Sequence, residues 1–172
     1  MSEANAAVHT NEHSEHHEEL SFLYKYILPV DHKMIAMQYM FTGLIMAVIG
    51  GYFSYVFRMQ LAFPGESIPL YGIVGPVEYN MMVTNHGTIM IFWVAMPVLI
   101  AAFGNFLIPL MCGCDDMVFP RLNRLSYQIF LVSALVLILS FFVKGGGFGG
   151  AWTAYPPLSS VPEFNLTDWG AS

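Results

Sequence analysis

From Tyr79 to Cys114 the chain runs for 36 residues without an Asp, Glu, Lys or Arg. That well exceeds the roughly 20 apolar residues needed to cross a bilayer. The one side chain in the run that titrates near neutral pH is His86. An ionisable group at that depth is costly in hydrocarbon, so it must face a partner, a cofactor or water inside the protein. Neutral imidazole is among the best ligands for haem iron. A buried histidine bonded to a neighbouring helix satisfies the same spacing, and both readings stand at this point.

Composition supports a membrane protein. Mean hydropathy is +0.56, 56% of residues are apolar and only 10% are charged, which excludes an ordinary soluble globule. Five of the twelve acids (Glu3, Glu12, Glu15, Glu18 and Glu19) fall in the first nineteen residues, so the net charge of −6 mostly describes a tail. No basic stripe is present to neutralise phosphates, which argues against a nucleic-acid partner. The fold class expected is all-α, a polytopic transmembrane helix bundle in contact with the lipid bilayer.

In chain order, residues 1–20 read as a polar disordered tail. Its His9, His13, His16 and His17 form either a weak metal site or a solvated stretch. No basic segment precedes a short apolar core there, so it does not read as a cleaved secretory signal. Phe22–Leu28, with Lys25, suits an interfacial helix ended by Pro29. Residues 21–172 read as the transmembrane part, with spans at about 31–58, 77–111 and 121–143. Gly43, Gly50 and Gly51 in the first span favour close helix approach. Met59–Glu78, holding Pro64, Pro69 and Pro76 among glycines, reads as a loop. A straight helix from Tyr79 to Cys114 would be about 54 Å long, so a bend near Pro97 and a stop near Pro109 are expected. Cys112 and Cys114 are not C-x-x-C and read as small packing residues near the interface. Asn165-Leu166-Thr167 matches a glycosylation acceptor, read as chance.

Lys25, Lys33, Arg121 and Arg124 flank one side of the spans, against Arg58 and Lys144 on the other. Four against two places the N-terminus and the Asp115–Arg124 turn in the cytoplasm or matrix. His86 then lies in the outer half of the membrane and Asp116 at the inner surface. Arg58 either meets a polar substituent of a porphyrin or snorkels to the interface. Asn105, Asn123, Ser126 and Tyr127 surround Asp116 in sequence. They make either a water-organising path for proton uptake or, with Asp115 or Asp116, an ordinary helix cap.

Five blocks then carry a resemblance: D-H-K-M-I-A-M-Q-Y, Y-N-M-M-V-T-N-H-G-T-I-M-I-F, F-G-N-F-L-I-P-L-M, D-M-V-F-P-R-L-N-R-L-S-Y and G-A-W-T-A-Y-P-P-L. In this order, over roughly Asp31 to Leu158, they resemble subunit I of the haem–copper terminal oxidases. The resemblance implies that His86 is an axial ligand of a low-spin haem A and that Arg58 contacts a polar substituent of it. It implies that Asp116 is the entrance of a proton-uptake channel whose path includes Asn105, Asn123 and Ser126. Trp152 and Tyr155 match a pair near the active-site end. The family pattern also agrees with the orientation drawn from the basic residues. Gln60 stands where many members carry a glutamate on a structural cation, which departs from the pattern. The loop after Arg58 is also longer than in mitochondrial relatives.

Family members have about a dozen spans and this sequence has three. The copper ligands, the high-spin haem ligand and the second low-spin ligand would lie after Ser172. The chain alone is therefore not expected to reduce oxygen, and reads as a partial sequence or one half of a split subunit. The implied partners are oxidase subunits II and III, with oxygen as acceptor and cytochrome c or quinol as donor. The D-M-V-F-P-R-L-N block favours an oxidase over a nitric oxide reductase. A non-catalytic assembly protein and a redox-free proton-path bundle are the rival readings. The hydrophilic tail tilts the expected location to a bacterial plasma membrane rather than a mitochondrial inner membrane.

Overall fold

The computed structural model describes residues 28–142, 147–157 and 159–160. The His-rich tail, the interfacial segment before Leu28, Lys144 and the Asn165 motif lie outside the described residues. Three helices, each long and apolar enough to cross a membrane, make up the described chain: α1 (His32–Ala62), α2 (Pro76–Cys112) and α3 (Pro120–Ser140). Among the described residues the only β pairing is an isolated bridge between Ile68 and Gly72.

Each helix begins at a sequence signal. The Asp31 carboxylate accepts the Lys33 N–H at 2.9 Å and caps α1. Pro76 opens α2, and the Glu78 carboxylate reaches back to the Gly75 N–H at 2.9 Å. Pro120 opens α3. The ends differ from the sequence reading. Helix α1 runs one turn past Arg58 to Ala62, so the connecting loop starts later than Met59. Helix α2 does not stop at Pro109. That proline sits in the last turn, and the helix ends at Cys112 because Gly113 adopts the left-handed conformation (φ 68°, ψ 26°).

The expected irregularity around Pro97 takes the form of two π-helical stretches, Ile89–Ala95 and Pro97–Ala102. Proline has no N–H to give the carbonyl four residues back, here that of Trp93, and widening the turn is one way to absorb that loss.

Helix α1 is the central element, contacting every segment of α2 and also α3. Glycine makes this possible at two of its positions. A Cβ at Gly43 would stand 2.6 Å from Val98 Cγ2, and one at Gly50 would stand 3.0 Å from Met90 Sδ and 3.1 Å from Ile89 Cγ2. Gly51, expected to share this role, instead faces open space. Two apolar clusters result. One gathers Met46, Phe53, Val56, Met82 and Ile89 beneath the 63–75 loop, and the other gathers Ile35, Tyr39, Ala102 and Tyr127 at the opposite end. The flanks of all three helices carry exposed large apolar residues, such as Val48, Leu99 and Val136, as lipid or protein contact requires.

Candidate functional site

The candidate residues fall into two groups, one on each apolar cluster. His86 lies on α2, half-buried beside the first cluster. Its Nδ1 is 2.8 Å from the Gly50 carbonyl oxygen, and the Phe57 ring meets its imidazole edge-on at 5.4 Å between centroids. A carbonyl oxygen only accepts, so Nδ1 carries the proton and Nε2 keeps its lone pair. A metal-binding histidine is commonly oriented in this way, with the distal N–H held by a carbonyl. The donor therefore fits a haem iron. It also has the helix-to-helix bond that the alternative reading required, and one ring satisfies both descriptions. Among the described residues no three His, Cys, Asp or Glu side chains gather into a metal-holding group, so His86 stands as a single donor.

The turn of α2 that carries His86 is braced from outside. Asn85 is buried, and its Nδ2 donates to the Met81 carbonyl at 2.8 Å and to the Phe148 carbonyl at 3.1 Å. Thr84 Oγ1 accepts the Ala151 N–H at 3.1 Å. The segment over residues 147–151 thus lies directly on the His86 turn. A Cβ at Gly147 would stand 2.5 Å from Asn85 Nδ2, so glycine is needed for that approach.

Arg58 is exposed on α1, about 12 Å of helix rise beyond Gly50. It is on the same helix as the His86 acceptor but outside its contacts. Trp152 and Tyr155 are exposed on the segment after α3, and Trp152 packs on Phe92 at 6.2 Å between ring centroids. Gln60 is half-buried, and its Oε1 is buried without a hydrogen-bond partner among the described residues.

At the other end, Asp116 lies in the exposed turn between α2 and α3. One carboxylate oxygen accepts the Met117 N–H at 2.7 Å and the His32 Nδ1–H at 3.1 Å. The carboxylate therefore satisfies a backbone donor of the turn and makes a long-range contact to α1, but it does not cap α3, whose N-cap is Phe119 with no side-chain cap bond. His32 is only 2% exposed and its Nε2 is buried without a partner, an arrangement with no signal in the sequence beyond its position next to the cap Asp31. One turn into α3, Ser126 Oγ donates to the Asn123 carbonyl at 2.7 Å, so in its 3.0 Å contact with Tyr39 the tyrosine O–H is the donor. Thr42 and Tyr127 pair their hydroxyls at 3.0 Å deeper in the same seam.

Asn123 Nδ2 lies 3.2 Å from Met117 Sδ, next to Asp116. Asn105 is buried at 6% exposure, where the last segment of α2 packs against α1. Asp116, Asn123 and Ser126 thus gather at one end, with Asn105 buried on the same half of α2. His32 and Tyr39 were absent from the sequence-derived site and belong to the same end. Cys112 and Cys114, read as packing residues, are both exposed and free. Cys112 closes the helix, and the left-handed Gly113 turns the chain out of it before Cys114.

Residues 34–172 match the family described as cytochrome C and quinol oxidase polypeptide I. The chain is 39% identical over 146 residues to the alternative cytochrome c oxidase subunit 1 of Bradyrhizobium diazoefficiens, covering 85% of this chain and 24% of that protein. It is 46% identical over 130 residues to the cytochrome c oxidase subunit 1 of a Synechocystis species, covering 76% and 22%. A heme-copper oxidase subunit I+III of Aeropyrum pernix is 41% identical over 143 residues, covering 82% and 17%. The chain spans about a quarter or less of the length of these relatives.

Proposed function

The chain belongs to the cytochrome c and quinol oxidase polypeptide I family, and from that premise we propose that it forms the N-terminal three-helix part of a proton-pumping terminal oxidase. The complete enzyme would take electrons from cytochrome c and reduce oxygen to water. It is an integral membrane protein by its three membrane-capable helices and its family. We place it in a bacterial plasma membrane on account of its hydrophilic N-terminal tail, with the N-terminus cytoplasmic on the count of basic residues.

The observation that carries this reading is His86, whose Nδ1–H is fixed on the Gly50 carbonyl while Nε2 is left as a ligand. It would hold the iron of a low-spin haem A, with Arg58 paired to a polar substituent of that haem. Bound haem supplies one-electron transfer, and the copper and the high-spin haem would be held by chain outside these residues. The contribution of this segment is therefore positional. Gly50 sets the rotation of the imidazole, and Asn85 and Thr84 hold the turn that carries it.

At the inner face, Asp116 would take up protons from water, and its contact with His32 supports a shared proton-collecting role. The paired hydroxyls of Tyr39 and Ser126, 3.0 Å apart next to Asn123, support a polar path leading inward from Asp116, with Asn105 lining the same half of the bundle. Trp152 and Tyr155 would approach the active-site end of the complete subunit. Oxidase subunits II and III are the expected partners.

The test is His86→Ala in the complete enzyme, with haem quantified as the pyridine haemochrome and the low-spin absorption band recorded. Loss of about one haem per enzyme is expected, since one axial ligand is removed. Full haem content with an unshifted spectrum would remove the ligand assignment.

A further inference from the structure

The two thiols at the end of α2 take no part in the reading above. Cys112 is the last helical residue, Gly113 is left-handed (φ 68°, ψ 26°), and Cys114 is the first residue past the cap. The distance between the two Cα atoms flanking a residue is set by that residue's φ and ψ, and it is unchanged when both signs are reversed. Helical geometry puts such a pair about 5.4 Å apart, and Gly113, close to the mirror image of a helical residue, gives nearly the same separation. A disulfide needs about 4.4–6.8 Å between Cα atoms. Cys114 Sγ also turns back along the chain, lying 3.9 Å from the Cys112 carbonyl oxygen. Both cysteines are free and exposed, so a small oxidant reaches them.

The position of the pair matters as much as its geometry. The turn is closed on the helix by the Cys114 N–H to the Pro109 carbonyl at 3.0 Å and the Gly113 N–H to the Leu110 carbonyl at 3.3 Å. Asp115 and Asp116 follow at once. Asp116 is held by its bonds to Met117 and His32, so a change of backbone direction at Cys114 acts on a carboxylate already anchored on the far side.

We propose that Cys112 and Cys114 are a reversible dithiol–disulfide pair whose closure slows proton uptake at Asp116; the second half rests on the entrance role proposed above. The oxidant is a low-molecular-weight disulfide. One cysteine thiolate attacks it, forming a mixed disulfide and releasing one small thiol. The second thiolate then displaces the other small thiol and closes the Cys112–Cys114 bond. Two electrons pass to the small disulfide, and the two protein thiol protons leave with its two thiol products. On the side assigned to the cytoplasm such a bond is transient, as regulatory disulfides are.

The experiment uses the complete oxidase incubated with glutathione disulfide, followed by alkylation and mass spectrometry of the peptide holding both cysteines. Wild type should yield a peptide lacking two hydrogens and resistant to alkylation until dithiothreitol is added. Cys112→Ser and Cys114→Ser should each yield a glutathione adduct on the remaining thiol. An adduct in wild type with no internal bond overturns the pair. Turnover of oxidised wild type should fall about threefold and recover on reduction, a change within the range of local coupling effects. The Cys112→Ser/Cys114→Ser double variant should not respond. If the bond forms and turnover holds while Asp116→Asn slows the enzyme, the control over uptake is refuted. If Asp116→Asn is also without effect, the entrance assignment has failed, and the switch with it.

Discussion

Replacing Gly50 by alanine tests whether the approach of α1 to α2 sets the orientation of His86. The added Cβ would meet Met90 Sδ at 3.0 Å and Ile89 Cγ2 at 3.1 Å. Relaxed contacts of this kind lie at about 3.5–4.0 Å, so the neighbours must retreat by about 0.5–1 Å. Met90 is flexible and its thioether can turn aside. Ile89 is fully buried and cannot, so part of the retreat falls on the backbones. Overpacking of this kind costs about 1–3 kcal/mol, against a gain of about 0.5–1 kcal/mol from replacing a helical glycine. The His86–Gly50 bond of 2.8 Å would lengthen by a comparable amount, beyond the useful range for N–H to oxygen. Loss of such an orienting bond lowers metal affinity about 10–100-fold. Haem per enzyme after dialysis, together with the low-spin absorption band, reads this directly. Gly51→Ala is the internal control, because a Cβ there meets nothing within 4 Å. If Gly50→Ala retains haem as well as Gly51→Ala does, the tight approach does not orient the ligand.

Three further outcomes follow from the same geometry. Asp116→Asn should slow turnover and proton pumping while leaving haem spectra intact, and unchanged pumping would reduce Asp116 to the turn contact it also makes with Met117. Tyr39→Phe removes the donor to Ser126 and should cost about 1 kcal/mol of stability together with a slower proton-coupled step; equal turnover with equal haem content would take Tyr39 out of the path. Tyr71, in the loop after α1, has its phenol pushed up to about 12, first by burial and then by the charge of Glu78 and by Tyr52. A phenol ionises to an anion, so a raised value means the folded state holds its proton longer than the unfolded one. The loop's stability is therefore full below about pH 10 and is lost as pH rises toward 12. Limited proteolysis across that range, compared with Tyr71→Phe, shows whether the loss belongs to this residue.

What the sequence made legible is what depends on neighbours along the chain. The three helices follow from uncharged runs, although α2 begins at Pro76, inside the stretch that reads as a loop to Glu78. The end of α2 at Cys112 falls within a residue of the expected span but past the stop expected near Pro109, because a proline in a last turn removes a single hydrogen bond, whereas the left-handed Gly113 stops the helix outright. The site was legible in its residue types and illegible in its pairs. His86 meets a carbonyl 36 positions away, and His32 meets Asp116 across 84. In sequence His32 stands beside Asp31 at the very start of the first span, so it reads as a bystander. Burying it at 2% exposure against an acid is a property of how α1 crosses the α2–α3 turn. Helix α1 touches both groups of functional residues, giving a backbone carbonyl to one and side chains to the other. A carbonyl acceptor leaves no mark on residue identity except where glycine is needed to bring it close. Gly50 is therefore the one position at which the His86 contact could have been read from α1, and Gly51 beside it shows why a glycine alone does not suffice.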